Sequence, residues 1–580
     1  MIYSHSFLIK TKLPVAKLWD VLSDTSRMNK AMGLPAWEEA DLKGSRQVKT
    51  KVLGQIQEWI ESPWTWIFQK EIRQERIYSR GLMQKQTGVF RITSDGDSHQ
   101  AEITFSWFGG VFLRWLIGPL SARFLRKKMT AYLQQQEEIY FRNLAAKKKD
   151  QIPLTPLRDL TTEDNELVQK IVNEFPERDG RDFLKKLVEY LLAADFMDVH
   201  KINPKKVSAR LDLHLSDTLE LLSFLTSAGY LALTWDVICP HCRGPQVEAN
   251  KLKYLTAKSE CLSCDLEFAM DTERSVEVTF KCLPRLRAVQ NIVYCAAEPA
   301  KKTHILVSWP AQNFNVSLDL SSGNYGLRTL KGKNNFEIKV SAQAPTTKSV
   351  HIDFTKKGTT LAPGLIEFSY SQDQDDYLVI ENLSWSDEKF LAKEALGNFH
   401  VRSLLNDDLL QTGIKLDIGE QVILFTDIVG STPFYKSLGD AKAFIAVQNH
   451  YEVIEQIIKK NNGVVVKFIG DAVMGSFSIP GDAFKANFEI HEAFKNQAIS
   501  LRTSYHVGQV LCVNMNVGLD YFGQTVNTAA KIQKWVGAHE TAVSEQIWKK
   551  ISTGEKEKMK IKETKFDDQL EQTVHILLNK

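Results

Sequence analysis

Two short apolar runs, each ending on an aspartate, constrain this chain more than any other feature. QVILFTD reads as a buried strand that delivers Asp427, and IVGSTPFYKSL follows at once, with Ser431 or Thr432 placed to cap a helix and Pro433 near its first turn. A carboxylate therefore lies beside a turn containing Gly430 and a helix N-terminus, where free N–H groups and the helix dipole favour an anion such as a triphosphate. Forty-four residues later GVVVKFIGDAVMGSF reads as two strands joined at Ile469-Gly470-Asp471. Either aspartate alone reads as a turn former. On neighbouring strand ends they are what a pair of Mg²⁺ or Mn²⁺ ions needs as shared ligands for phosphoryl chemistry.

The chain has 580 residues, too many for one hydrophobic core, and at roughly 150 residues per domain about four domains are expected. With 43% hydrophobic and 25% charged residues the composition is that of an ordinary folded protein, which excludes collagen and disordered scaffolds. The balance of 73 Lys and Arg against 70 Asp and Glu leaves a net charge of +3, far from the basic excess of a protein that holds nucleic acid over its whole surface. No nucleic-acid partner is expected. The odd number of cysteines, 7, argues for a reducing, cytoplasmic compartment rather than a disulfide framework. No signal peptide is read at the N-terminus, and the most apolar stretch, 105–120, contains Arg114 and falls short of the roughly 20 residues of a transmembrane span.

Along the chain the pattern is multidomain α+β. Residues 1–145 open with period-2 segments and close with a long helical pattern, and 7 of the 12 tryptophans fall in the first 115 residues. Such aromatic density suits either core packing or the wall of a cavity for a hydrophobic small-molecule ligand. The order of strand, short helices, strands and long helix resembles the START-like, Bet v 1-like (SRPBCC) superfamily of helix-grip domains. A polar linker, 146–163, leads to a winged-helix-like unit, 164–235, with Asn203 and Pro204 opening one helix, and Ser216 and Gly229 bounding the next. Its second helix carries Asp217 and Glu220 and no Lys or Arg, which opposes phosphate contact.

Cys239-Pro-His-Cys242 and Cys261-Leu-Ser-Cys264 follow, in a segment spanning 236–270 that reads as a zinc ribbon. Two such knuckles can converge four thiolates on one structural Zn²⁺, and a closed four-sulfur shell leaves no open position for catalysis. A redox dithiol or a metal-free vestige is the alternative. Short alternating runs over 271–390 suggest an antiparallel β-sandwich, and a helical linker, 391–416, connects to the last domain, 417–580.

FTDIVGST, VKFIGDAVMGSF and DYFGQTVNTAAKIQ, in this order and spacing, resemble the class III adenylyl/guanylyl cyclase catalytic domain over about 418–580. The stretch from GYLALTWDVICPHCRG to NDDLLQTG resembles the zinc-ribbon-bearing domain of unknown function found ahead of such cyclases in bacteria. The cyclase resemblance implies a ferredoxin-like α/β catalytic domain in a homodimer with active sites at the interface. It implies Asp427 and Asp471 as ligands of two Mg²⁺ or Mn²⁺ ions and assigns substrate contacts to the Gly430, Ser431 and Thr432 turn. Lys467 and Asp520 become the readers of the adenine ring, so ATP is the expected substrate. Asn527 corresponds to the residue that orients the ribose. Lys531 stands where most active members have an arginine, which implies a slower enzyme. Lys562 matches the later triphosphate-binding lysine, although Glu563 replaces the glycine expected after it. The alternatives are a guanylate cyclase, or a degenerate cyclase that serves as a ligand-binding scaffold.

Overall fold

The computed structural model describes residues 2–37, 47–52, 55–62, 64–95, 98–110, 118–145, 157–176, 180–239, 245–249, 251, 254–255, 258–261, 266–269, 276–289, 294, 304–329, 335–383, 389–405, 416–431, 433, 436, 440–515, 518–557 and 559–578.

At the N-terminus the strand Ile2–Thr11 pairs antiparallel with Ser98–Gly109, and the sheet continues through Met83–Asp95 and Glu71–Arg80 to Thr65–Ile67. Along Ser98–Gly109 every second residue from Ala101 to Gly109 is buried, the alternation of a strand with one face on a core. That face packs on the helix Gly118–Ala145 through Met129, Tyr132 and Leu133, among others. The sheet does not stop with this unit. Thr65–Ile67 also pairs with His304–Val307, so the same sheet runs on through Leu378–Asn382, Gly323–Thr329, Asn335–Val340 and Gly358–Leu361. A second sheet, Ala311–Leu320, Gly364–Asp376 and Ser349–His351, lies against this extension across a core that includes Leu318, Leu327, Ile338 and Phe368. Strand pairing between segments some 240 residues apart leaves no local trace in the sequence.

Between these strands in sequence lie, among the described residues, five helices, from Thr162–Glu174 to Leu215–Ser227. Thr161 and Asp164 form a reciprocal capping box at the first. Asn203 caps the helix Pro204–Leu211 as expected, its side chain accepting from Lys206 N at 3.1 Å. The last helix starts two residues earlier than expected: Leu215 is already helical and His214, not Ser216, holds the cap position in extended backbone. Gly229, at φ 76°, ends it. The strand Leu231–Ile238 then pairs with Val276–Cys282 and Pro245–Ala249.

The C-terminal part follows the order strand Leu416–Ile428, helix Asp440–Lys460, strands Val464–Ile469 and Ala472–Phe477, helix Pro480–Phe494, strand Leu501–Met515. The first four strands lie in the sheet in the spatial order second, third, first, fourth, which is the ferredoxin-like arrangement. The hydrophobic run VILF explains the two layers. Val422 and Leu424 face the core under helices Asp440–Lys460 and Pro480–Phe494, while Ile423 and Phe425 face the opposite core, with Val510 and Tyr521. That second core is continuous with the upstream helices, joining Leu187, Leu222 and Phe390.

Candidate active site

Asp427 is the penultimate residue of its strand, and its neighbour Thr426 pairs with Val473, two residues beyond Asp471. The two aspartates therefore lie at the same end of adjacent strands. Gly470 takes φ 62° in the turn, a left-handed conformation that a β-carbon would strain. The turn is pinned from above. Tyr451 of helix Asp440–Lys460 donates its hydroxyl to Gly470 O, and its ring lies 4.5 Å from that of Phe468, tilted by 40°.

The carboxylates differ in their partners. Asp427 Oδ2 accepts from Arg502 Nε at 2.8 Å and from Nη2 of the same guanidinium, because Asp427 and Arg502 are register partners on adjacent strands. Asp471 Oδ2 is buried and has no hydrogen-bond partner. A carboxylate oxygen withdrawn from water and left unpaired is costly unless a cation compensates it. The donor set, carboxylate oxygens at two strand ends, is of the hard-oxygen type that Mg²⁺ and Mn²⁺ prefer. Behind this turn the imidazole of His450 is buried, and burial holds it down to about 4, countered in part by the charge of Asp471. It is neutral at neutral pH and adds no positive charge to compete with a metal ion.

Lys467 and Asp520 come from different hairpins and meet: Lys467 Nζ donates to Asp520 Oδ2 at 2.7 Å. Asp520 also accepts from the backbone N–H of Tyr521 through Oδ1 at 2.7 Å, which fixes the carboxylate plane. A cationic donor and an anionic acceptor thus stand side by side, the carboxylate mostly buried and the amine partly open to solvent. Asn527 and Lys531 are exposed and one helical turn apart on Gln524–Ile532, the helix whose opposite side buries Thr525, Thr528, Ala529 and Ile532. Lys562 lies on the strand Lys560–Asp567, and its amine is ion-paired with Glu540, which raises it above the usual lysine range. Gly430 is exposed with φ 74°. Ser431 is already helical, so it does not take the expected cap position, and Thr432 falls outside the described residues.

Four exposed apolar side chains, Val429, Phe468, Ile469 and Phe522, each neighbour or lie within two residues of one of these groups. Of the four cysteines, Cys239 is buried just after the strand Leu231–Ile238, and Cys261 ends the strand Lys258–Cys261, while Cys242 and Cys264 lie outside the described residues. No cluster of three or more metal-ligating side chains occurs among the described residues. In the N-terminal unit a cavity of about 480 Å³ is walled by Trp37, Trp59, Tyr78, Met83, Trp107 and Phe124. Among the described residues, no helix is long and apolar enough to cross a membrane.

Arg502, Tyr451 and His450 were not legible as site residues in the sequence. Arg502 is found only by strand register, and Tyr451 and His450 only by the packing of a helix over a turn.

Residues 417–579 match the adenylate and guanylate cyclase catalytic domain. This part of the chain is a class III cyclase catalytic domain, homologous to those of adenylyl and guanylyl cyclases, a class that generally uses divalent metal ions. Residues 163–302 match a family of unknown function, which takes in the helices expected to stand as a separate winged-helix-like unit. Uncharacterized proteins of Mycobacterium tuberculosis and Mycobacterium bovis are 29% identical over 110 residues, 19% of this chain and 28% of each relative. The chain thus matches little more than a quarter of the length of those relatives. Among solved structures, the catalytic core of a rhodopsin-guanylyl cyclase with converted specificity, in complex with ATPαS, has 18% identity and a TM-score of 0.27, covering 29% of this chain and 100% of that one. A bacterial light-regulated adenylyl cyclase has 21% identity and a TM-score of 0.27, covering 32% and 59%. An adenylyl cyclase from P. aeruginosa has 17% identity and a TM-score of 0.25, covering 29% and 97%.

Proposed function

We propose that the protein is an adenylate cyclase that converts ATP to 3′,5′-cyclic AMP and pyrophosphate. The observation that carries the choice of ATP is the Lys467–Asp520 pair, 2.7 Å apart. Adenine offers a ring-nitrogen acceptor beside a 6-amino donor. Lys467 donates to the first and Asp520 accepts from the second, whereas guanine presents an oxygen and a ring N–H and would meet two mismatches.

Asp427 and Asp471 would hold two Mg²⁺ or Mn²⁺ ions, with Asp471 Oδ2 gaining the partner it lacks. Bound there, the ions would lower the pKa of the ribose 3′-hydroxyl and neutralise the triphosphate. The chain's own side chains orient the reactants. Asn527 holds the ribose so that its 3′-oxygen faces the α-phosphorus in line, the Gly430–Thr432 turn lies under the phosphates, and Lys562 binds them once released from Glu540. Lys531 offers a compact charge to the α-phosphate as negative charge builds, without the bidentate fork of an arginine, so turnover is slow rather than absent.

The proposed active form is a homodimer in which one protomer supplies the metal carboxylates and its partner the base readers. Support comes from Val429, Phe468, Ile469 and Phe522, exposed apolar groups around the catalytic residues that a second copy would cover. Cys239, Cys242, Cys261 and Cys264 are read as ligands of a structural Zn²⁺, and metal analysis of the purified protein tests this. The aromatic N-terminal cavity suits a hydrophobic small molecule acting as a regulatory input. The reaction is assigned to the cytoplasm, where thiols stay reduced.

The deciding experiment is product analysis with Mn²⁺ and either ATP or GTP. Cyclic AMP above an Asp427→Ala control supports the reading. Cyclic GMP as the main product would reverse the base assignment, and no product from either nucleotide would favour a degenerate domain acting as a scaffold.

A further inference from the structure

Asp520 lies on the strand Gly518–Phe522, which has only five residues and, among the described residues, pairs only with Leu501–Met515. A short edge strand with one neighbour is held weakly by its ladder alone. Its position is set from outside the catalytic sheet. Arg402, on the short helix Phe399–Ser403, donates from Nη2 to Leu519 O at 2.6 Å, and its guanidinium lies 5.0 Å from the centre of the Tyr521 ring. The Tyr521 hydroxyl in turn donates to Leu396 O at 2.9 Å. The residues before and after Asp520 are therefore both tied to the segment that enters the catalytic domain.

That segment is tied equally firmly upstream. Val278 N donates to Phe390 O at 2.7 Å, Lys389 pairs with Glu277 at 2.6 Å, and Lys205 pairs with Glu394 at 2.8 Å. The segment from Lys389 to Arg402 includes two short helices, Ala392–Leu396 carrying Glu394 and Phe399–Ser403 carrying Arg402, packed in the core shared with Leu222. A shift of the unit spanning 163–302 against the catalytic sheet would thus be delivered to the main chain on both sides of Asp520.

We propose that Arg402 is a positioning residue for Asp520, and that the clamp it forms with Tyr521 and Leu396 is the route by which the upstream unit sets adenine recognition. This rests on the assignment of Lys467 and Asp520 as the base readers. Arg402 touches no substrate. It fixes the strand so that the Asp520 carboxylate stays against Lys467, and loosening it would weaken ATP binding without removing any group that acts on the phosphates.

The test uses the full chain and compares wild type, Arg402→Ala, Arg402→Lys, Tyr521→Phe and Asp520→Ala, reading kcat and KM with ATP and with GTP. Calorimetric affinities for both nucleotides are measured alongside, so that a slow enzyme still reports. The expected result for Arg402→Ala is a rise in KM and Kd for ATP of about tenfold, as for loss of a charged hydrogen bond, with the ATP-to-GTP preference reduced and kcat changed less. Arg402→Lys, which keeps a cationic donor, should recover most of the preference, and Tyr521→Phe, which keeps the ring, should lose part of it. Thermal unfolding of each variant separates loss of fold from loss of position. If Asp520→Ala abolishes the preference while Arg402→Ala and Tyr521→Phe, both folded, leave it intact, the positioning role is overturned. If Asp520→Ala itself leaves the preference intact, it is the base-reader assignment that fails.

Discussion

Lys467 and Asp471 are separated by one short strand end and a turn, yet the proposed mechanism assigns them to different active sites of a dimer. Mixing Asp427→Ala with Lys467→Ala protein puts a number on that assignment. Lys467 is paired with Asp520 across two hairpins, and Asp427 is held by Arg502 on the adjacent strand, so each substitution removes one function and leaves the other element in place. In a mixed dimer one site loses both its carboxylate and its lysine, and the other keeps all its parts. Random exchange of equal amounts makes half the dimers mixed, each with one working site of two, so recovery of about one quarter of wild-type activity is expected. Each variant alone should show almost none. The assay is cyclic AMP formation after co-refolding or subunit exchange, with the dimer fraction measured by light scattering on the same samples. Mixed dimers without activity would refute the shared-site reasoning, and so would full activity in a monomeric fraction.

Lys531→Arg places a planar fork at the position proposed to face the α-phosphate and should raise kcat about tenfold with little change in KM, read at saturating ATP and Mn²⁺. Asp471→Ala removes a buried oxygen with no hydrogen-bond partner, so Mn²⁺ affinity measured by calorimetry should fall by at least about 100-fold, while the melting temperature without metal does not drop. His491 and His506 are buried in the catalytic core, and burial lowers each to about 4 from 6.5, helped at His491 by His539. Between those values the unfolded chain binds protons that the fold does not, so stability is full above about 6.5 and falls as pH drops, by about 2 kcal/mol per histidine at pH 5. Urea unfolding of the wild type and His506→Gln at pH 7.5 and 5.0 checks the sign, and the variant should lose less on acidification.

The residues proposed for catalysis are read from local patterns in the sequence. Asp427 closes an apolar run, Asp471 follows a glycine that must take a left-handed turn, and Asn527 and Lys531 are one helical turn apart. Cap residues such as Asn203 and Thr161 carry local rules of the same kind. His214 in place of Ser216 shows the tolerance of such rules, since cap preference is worth only about 1 kcal/mol and packing of the helix moves the boundary by two residues.

The residues that only the tertiary structure supplied depend on distant pairing. Arg502 reaches Asp427 because two strands with 75 residues between these positions lie in register. The N-terminal sheet runs into the later strands because Thr65–Ile67 finds His304–Val307, and Arg402 reaches the Asp520 strand from a helix more than 100 residues away in sequence. Sequence alone determined which groups are proposed to bind metal ions, phosphates and a purine edge, because charge and local backbone conformation belong to the residue. Which of those groups face one another, and which upstream segment holds them there, was decided by strand register and by a core shared across domains, interactions whose energy exists only once the whole chain is packed.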